Sequence, residues 1–149
     1  MRIVLAVAVG ILVAFVVGSV IGTQMVLRSV EDMGLAVSWG MRLSSSWNDI
    51  LGLSVSLLPL MTIALAPAWL LLAWLDRRSV LTINAGIFAM CGALCIGLLH
   101  PVLNLVFGVD VFAPARSWLG LLCQAAAGAL GGWAMVYVWS YRGSVALKQ

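Results

Sequence analysis

Charged side chains are scarce in this chain of 149 residues, where they make up 9% of the sequence. A soluble protein usually carries about 25%, so the chain has too few charges to build a polar shell around a water-soluble core. It also lacks the charge density of an intrinsically disordered protein. By contrast, 64% of its residues are hydrophobic. This balance predicts an integral membrane protein that crosses the bilayer more than once.

The motifs that carry most catalytic chemistry are also missing. The sequence contains no Gly-x-Ser-x-Gly, His-Glu-x-x-His, phosphate-binding loop or Cys-x-x-Cys pattern. Its five acidic residues all fall outside the long apolar runs, and its single histidine, His100, excludes bis-histidine haem ligation within one chain. The eight basic residues form no run that would clamp the phosphates of nucleic acid. We therefore expect neither an enzyme nor a protein that binds nucleic acid, a metal or a cofactor.

The three cysteines, Cys91, Cys95 and Cys123, all lie inside apolar runs and predict no disulfide framework. Cys91 and Cys95 share one helical face, and together with Cys123 they are an alternative candidate site for a soft metal. We instead expect them to be small apolar packing residues, which is the usual role of buried cysteine.

Four uncharged apolar runs are long enough to cross the roughly 30 Å hydrocarbon core as helices. They predict spans at residues 3–27, 50–75, 80–107 and 118–141 of a single membrane domain. The first run follows Arg2 as in a signal peptide, but it exceeds the usual apolar length of about 15 residues. We therefore expect it to remain as a membrane anchor. The predicted fold class is all-α, an integral membrane four-helix bundle.

The basic residues are divided unequally between the two sides of this arrangement. Five fall on the side of the termini and three on the opposite side, namely Arg2, Arg77, Arg78, Arg142 and Lys148 against Arg28, Arg42 and Arg116. Because short cytoplasmic loops are enriched in Lys and Arg, we predict that the N- and C-termini are both cytoplasmic.

The connection between the first two spans has an amphipathic pattern of its own. After Gly34, a residue type that often ends a helix, apolar and polar side chains recur at helical spacing on opposite faces. The apolar face contains Trp39, Leu43, Trp47 and Ile50, and the polar face contains Arg42, Ser46 and Asp49. This pattern predicts a short external interfacial helix. We expect it to lead into the second span; a partner-docking or lid element is the alternative.

Small residues recur every four positions in the spans and predict close helix contacts. Lipid tails are as apolar as leucine, so close packing has to hold membrane helices together. The predicted packing residues are Gly10, Gly18 and Gly22 in the first span, Ala89, Ala93 and Gly97 in the third, and Gly128 and Gly132 in the fourth. We expect them to face inward within one monomer. A homo-oligomer or a larger membrane complex is the alternative use of these surfaces.

Polar side chains within the apolar runs are few, and a polar group in lipid is unfavourable enough to indicate a function. Four of them are predicted near one level toward the external side: Gln24, His100, Asn104 and Gln124. They form either a candidate polar pocket or a set of interhelical hydrogen bonds, and we favour the hydrogen bonds. For His100, a proton relay, a quinone contact or a haem ligand is the alternative to a bond with a carbonyl freed by Pro101.

Three short strings carry a resemblance to a known group of proteins. Residues 22–27 (GTQMVL), 49–52 (DILG) and 124–132 (QAAAGALGG) resemble uncharacterised small four-span inner-membrane proteins of Gram-negative bacteria. The resemblance implies a multi-pass protein of the bacterial inner (cytoplasmic) membrane and carries no function with it.

The packing residues and the missing chemistry together favour one function class. We predict a non-enzymatic accessory or interaction subunit that sits in the lipid bilayer and packs through its small-residue helix faces. One alternative is a small permease or channel with an outer-side polar pocket. Another is a haem- or quinone-binding membrane subunit.

Overall fold

The computed structural model describes residues 2–78, 84–108 and 113–146. These residues form five α-helices and one 3-10 helix: α1 (Arg2–Asp32), α2 (Trp39–Leu53), α3 (Leu57–Arg77), α4 (Ala85–Phe107), the 3-10 helix (Ala113–Arg116) and α5 (Trp118–Ala146). For these residues the prediction of an all-α chain is confirmed. Lys148 and positions 80–83 of the predicted third span lie outside the described residues.

Four of the helices, α1, α3, α4 and α5, are long and apolar enough to cross a membrane. The longest is α1 with 31 residues, and the shortest is α3 with 21. At about 1.5 Å per residue, even α3 matches the roughly 30 Å thickness of a hydrocarbon core. The prediction of four apolar helices of membrane-spanning length is therefore confirmed.

Local sequence accounts for the helix ends. The side chain of Ser38 caps α2 by accepting a backbone N–H bond at 3.3 Å, and Asn84 caps α4 in the same way at 3.0 Å. Beyond the C-terminal ends of α1 and α4, Gly34 and Gly108 adopt left-handed conformations with φ of 87° and 68°. Glycine adopts these angles without strain, so it is the residue that lets the chain leave each helix.

The apolar run predicted as the second span is divided between two helices. We predicted one segment over residues 50–75, whereas α2 ends at Leu53 and α3 begins at Leu57. Pro59 favours a break here, because in a continuous helix its ring would clash with the carbonyl four residues earlier. In the first turn of α3 that clash does not arise, and the missing N–H of proline would have no helical acceptor there. Proline does not break every helix of this chain, since Pro67 and Pro101 lie inside α3 and α4.

The four long helices pack as a bundle in which α5 has the most extensive contacts. It packs against α1 and α4, while α3 packs against the same two helices, and α2 packs along α1. Gly10 lies against Gly131, and Gly18 lies against Gln124. The residue numbers therefore rise along α1 as they fall along α5, so these two helices are antiparallel.

The closest helix contacts are made at glycines. A Cβ atom at Gly92 would collide with the backbone carbonyl of Gly128, and a Cβ atom at Gly132 would collide with that of Phe88. Between α1 and α5, a Cβ atom at Gly10 would lie 2.8 Å from the carbonyl oxygen of Gly131. Backbones this close leave room for hydrogen only, which is the packing mode that holds helices together in lipid.

The predicted packing residues differ in how far they are buried within the bundle. Five of them are buried: Gly10, Gly18 and Gly22 in α1, and Gly128 and Gly132 in α5. The other three, Ala89, Ala93 and Gly97, are half-buried, because the buried line of α4 runs one position earlier, through Phe88, Gly92 and Ile96. Large residues interrupt that line, so the spacing of small residues did not mark Gly92.

Large apolar side chains fill the centre of the described bundle. The most fully buried include Trp69, Met61 and Leu65 of α3 and Phe88 and Ile96 of α4. The indole N–H of Trp69 donates to the backbone carbonyl of Phe88 at 3.2 Å, so its one polar atom is paired where no water reaches it. This packing ties α3 to α4.

Candidate functional site

The polar side of α2 faces α1 and is bonded to it. Arg42 lies at its centre: Nη1 donates to Gln24 Oε1 at 2.8 Å, and Nη2 forms an ion pair with Glu31 Oε1 at 2.6 Å. The amide of Gln24 in turn donates to Ser46 Oγ at 3.0 Å, and that hydroxyl donates to the backbone carbonyl of Arg42 at 2.8 Å. Four polar side chains of two helices thus form one continuous network.

A second polar contact fastens the other end of α2. The hydroxyl of Thr23, which is buried, lies 2.7 Å from Asp49 Oδ2 and 2.9 Å from the backbone carbonyl of Ser19. Asp49 therefore meets α1 near residue 23, while Arg42 reaches as far as Glu31. These two contacts make α2 antiparallel to α1 and place it beside the C-terminal third of that helix.

Most of the apolar side of α2 points away from the bundle, whereas Ile50, which was predicted on the same face, is half-buried and packs against the core. Trp39, Leu43, Trp47 and Leu51 follow one another at four-residue intervals with exposed fractions of 86%, 76%, 60% and 54%. We call these four residues the α2 ridge. A helix on a water-soluble protein turns its apolar side inward, and α2 does the reverse. An apolar surface of this kind marks a contact with lipid or with another protein.

A groove lies where the ridge meets α1. It encloses about 320 Å³ and is lined by Val20, Gln24, Trp39, Arg42, Leu43, Ser46, Trp47 and Ile50. Most of its lining is apolar, and its polar groups come from Gln24, Arg42 and Ser46 of the network described above. Large aromatic walls around a few fixed polar groups are typical of a surface that receives an amphipathic or apolar partner.

The four residues of the candidate polar pocket have different surroundings. Gln24 bonds to α2, as described above. Gln124 is 1% exposed, and its Nε2 donates to the backbone carbonyl of Gly18 at 3.0 Å, which joins α5 to α1. His100 is buried on α4, whereas Asn104 is exposed on the same helix. Both glutamines thus form hydrogen bonds between helices: Gln24 joins α1 to α2, and Gln124 joins α5 to α1.

The cysteines do not gather into a group of ligands. Cys91 Sγ lies 4.0 Å from Cys95 Sγ on α4, and Cys123 is a free thiol on α5. Among the described residues, no group of three or more His, Cys, Asp or Glu side chains is arranged to hold a metal ion.

Residue patterns alone did not reveal the pairing of Arg42 with Gln24 or of Asp49 with Thr23. The spacing of Arg42, Ser46 and Asp49 showed that they share one helical face, but not that this face turns toward α1. One feature of the sequence could have indicated these pairings. Thr23 and Gln24 lie near the end of the first apolar run, where their polar groups would meet the polar face of a helix that folds back along α1.

Comparison of the chain with family models, with curated proteins and with solved structures gives no match.

Proposed function

We propose that this chain is a non-enzymatic accessory protein of the bacterial inner membrane, and that the α2 ridge binds another membrane protein. The observation that carries the proposal is the inverted orientation of α2. Its polar side is bonded to α1, and Trp39, Leu43, Trp47 and Leu51 are left exposed. The assignment to the bacterial inner membrane is based on the resemblance of three short sequence strings to small four-span proteins.

The distribution of charge supports a bilayer around the four long helices. Arg2, Arg77 and Arg78 lie at one end of the bundle, and Arg28 and Arg116 lie at the other. Between these ends, exposed side chains such as Ile63 at 72% and Leu94 at 60% would face lipid. With the excess of basic residues on the side of the termini, we place both termini in the cytoplasm.

The position of α2 along the membrane normal indicates that lipid alone does not cover the ridge. Thr23, which contacts Asp49, lies 21 residues or about 32 Å along α1 from Arg2, which is one hydrocarbon thickness. From Asp49, α2 follows α1 outward for a further ten residues, or about 15 Å, to Trp39. The headgroup layer is only about 5–7 Å thick on each side, so the outer half of the ridge extends beyond it.

The shape of the ridge indicates the chemistry of its partner. Large side chains at four-residue spacing form a row that fits into the groove of another helix. None of the four carries a charge, and two indole rings need small residues opposite them. We therefore infer an uncharged helix with small residues on its contact face.

A second copy of this chain fits the ridge less well. Two copies in one membrane are related by an axis along the membrane normal, which would bring Trp39 against Trp39 and Trp47 against Trp47. Large residues pack best against small ones, so such an interface would be crowded.

The interior of the bundle supports an accessory role over a permease or channel. The centre of the described bundle is occupied by Trp69, Phe88 and Met61, each no more than 1% exposed. The small-residue lines of α1 and α5 are also used within the bundle, where Gly10 meets Gly131. Those two lines are therefore occupied within the bundle, whereas the α2 ridge remains exposed.

Site-specific photo-crosslinking in native membranes tests the proposal. A photoreactive residue is introduced at Leu43 or Trp47 on the ridge, or at Ser44 or Asn48, which are exposed on other faces of α2. We expect one discrete adduct from the ridge positions and none from the two controls. Peptide mass spectrometry should place the crosslink on an uncharged helix of one membrane protein.

Three outcomes would contradict the proposal. The first is a ridge that crosslinks only to lipid, and the second is a ridge that crosslinks to another copy of this chain. The third is the same adduct from all four positions, since contact would then not depend on the ridge. As a further check, the double substitution Trp39→Ala and Trp47→Ala should remove an adduct formed through Leu43, because the two rings make up the largest part of the ridge.

A further inference from the structure

We infer that the end of the bundle that carries Arg2, Arg77 and Arg78 binds the phosphate headgroup of an anionic phospholipid. We call it the arginine end. The inference requires the bundle to cross a bilayer, as proposed above, but it does not require α2 to dock on a partner. The two experiments can therefore fail separately.

Two arginines at this end are held on tryptophan rings. The guanidinium carbon of Arg77 lies 5.8 Å from the ring centroid of Trp139, and that of Arg78 lies 5.4 Å from the ring centroid of Trp74. Both distances are within the roughly 6 Å range of a cation–π contact. Each ring contact favours some conformations of its arginine over others, so less entropy is lost when an anion binds.

The chemistry of a guanidinium held near a ring suits a phosphate. The ring lies on one side of the group and leaves N–H donors available to an anion. Those donors form a fork that matches two oxygens of a phosphate. Arg77 and Arg78 therefore present such donors at the level where lipid phosphates would lie.

An apolar groove beside Arg77 favours a lipid over a free anion. It encloses about 90 Å³ and is lined by Ile3, Leu70, Ala73, Trp74 and Arg77. One wall comes from Ile3 in the first turn of α1 and the other from the last turns of α3, so the groove lies beside the guanidinium at this end of the bundle. An acyl chain would lie against Ile3 and Leu70 when the phosphate is bound at Arg77.

The charge balance of the two ends also favours an anionic ligand at the arginine end. At the arginine end, four arginines in the described helices, Arg2, Arg77, Arg78 and Arg142, accompany one acid, Asp76. At the other end the arginines are interspersed with acids, and Arg42 is already paired with Glu31. Attraction of anionic lipid to clustered arginines contributes about 1 kcal/mol per residue near a membrane surface.

Native mass spectrometry of the purified full-length protein tests the site. The protein is mixed with equal amounts of phosphatidylglycerol and phosphatidylcholine that carry the same acyl chains, so only the headgroup differs. We expect the protein to retain phosphatidylglycerol preferentially. The double substitution Arg77→Gln and Arg78→Gln should reduce that preference about 30-fold, which is about fivefold for each arginine.

A matched control removes the same charge from the opposite end. Arg28→Gln with Arg116→Gln should change the preference by less than about twofold, because these residues lie beyond the reach of the site. Arg77→Lys with Arg78→Lys keeps both charges without the fork or the flat stacked face, and it should give an intermediate loss. The unfolding transition of each variant, followed by tryptophan fluorescence, shows whether the bundle is intact.

Several results would overturn the inference. Equal losses from the two glutamine pairs would mean that net charge alone attracts the lipid. Full retention by the lysine pair would mean that the guanidinium fork plays no part. If millimolar inorganic phosphate displaces phosphatidylglycerol, the arginines form a free-anion site and the groove is not an acyl-chain site.

Discussion

Replacing Gly92 by alanine adds one methyl group at the closest contact between α4 and α5. That methyl would collide with the backbone carbonyl of Gly128 and would lie 3.0 Å from the indole ring of Trp69. Neither neighbour can yield easily, because one is backbone and the other is a fully buried ring. Overpacking of this kind destabilises a core by about 1–3 kcal/mol.

Gly97 provides the matched control in the same helix. A Cβ atom there would lie 3.5 Å from the Cβ atom of Ala125, an ordinary van der Waals distance. Both substitutions gain the same helix propensity of about 1 kcal/mol, so this gain cancels when the two variants are compared. We expect Gly92→Ala to be about 1–3 kcal/mol less stable than Gly97→Ala.

Equilibrium unfolding in mixed micelles of mild detergent and dodecyl sulfate measures the difference. The seven tryptophans supply the fluorescence signal. The same stability for both variants would refute the reasoning, because it would mean that α4 and α5 do not meet at Gly92. Destabilisation by Gly97→Ala alone would instead mean that the contact runs along the neighbouring line of small residues.

Two further substitutions test the polar contacts. Gln124→Leu removes the bond to the Gly18 carbonyl and should lower the free energy of unfolding by about 0.6–2 kcal/mol in the same assay; an unchanged value would show that the amide is not engaged there. Arg42→Gln removes the ion pair with Glu31 and should raise hydrogen exchange in α2 without affecting α5. Ser44→Ala is its control on an exposed face, and equal exchange in both variants would contradict a role for the network in holding α2.

The four long helices are readable from sequence because hydropathy and length are properties of single segments. Any helix that must lie in lipid has to be apolar for about 20 residues, and no information about its neighbours is needed to find it. The start of the second long apolar helix is harder to read from sequence. Its apolar composition continues through Ile50 and Leu53, so only Pro59 marks the point where α3 begins.

The packing faces could be predicted only in part, because they depend on which neighbour each helix meets. In α1 and α5 the smallest residues lie at the contacts, so their spacing points to Gly18 and Gly128. In α4 the contact at Gly92 lies between Phe88 and Ile96, whose large side chains reach past the neighbouring backbone. A helix face that mixes large and small residues shows no periodic pattern of small residues. In α4 this mixed face is nevertheless the buried one.

The polar contacts were the least predictable part of the candidate site. Gln124 and Gly18 are 106 positions apart in the chain, and no property of either residue identifies the other. The orientation of α2 presents the same difficulty. A helix with one polar and one apolar face can turn either face inward, and only the partners offered by Thr23 and Gln24 decide which.

The extensive contacts of α5 with both α1 and α4 also affect how the chain matures during translation. A nascent chain that has not yet reached Trp118 has α1, α3 and α4 but lacks the helix that covers Gly10 and Gly92. In the proposed membrane arrangement, the glycine surfaces of α1 and α4 stay open to lipid or to other helices until α5 is in place. A chain terminated before α5 would then expose both surfaces to membrane proteases and chaperones.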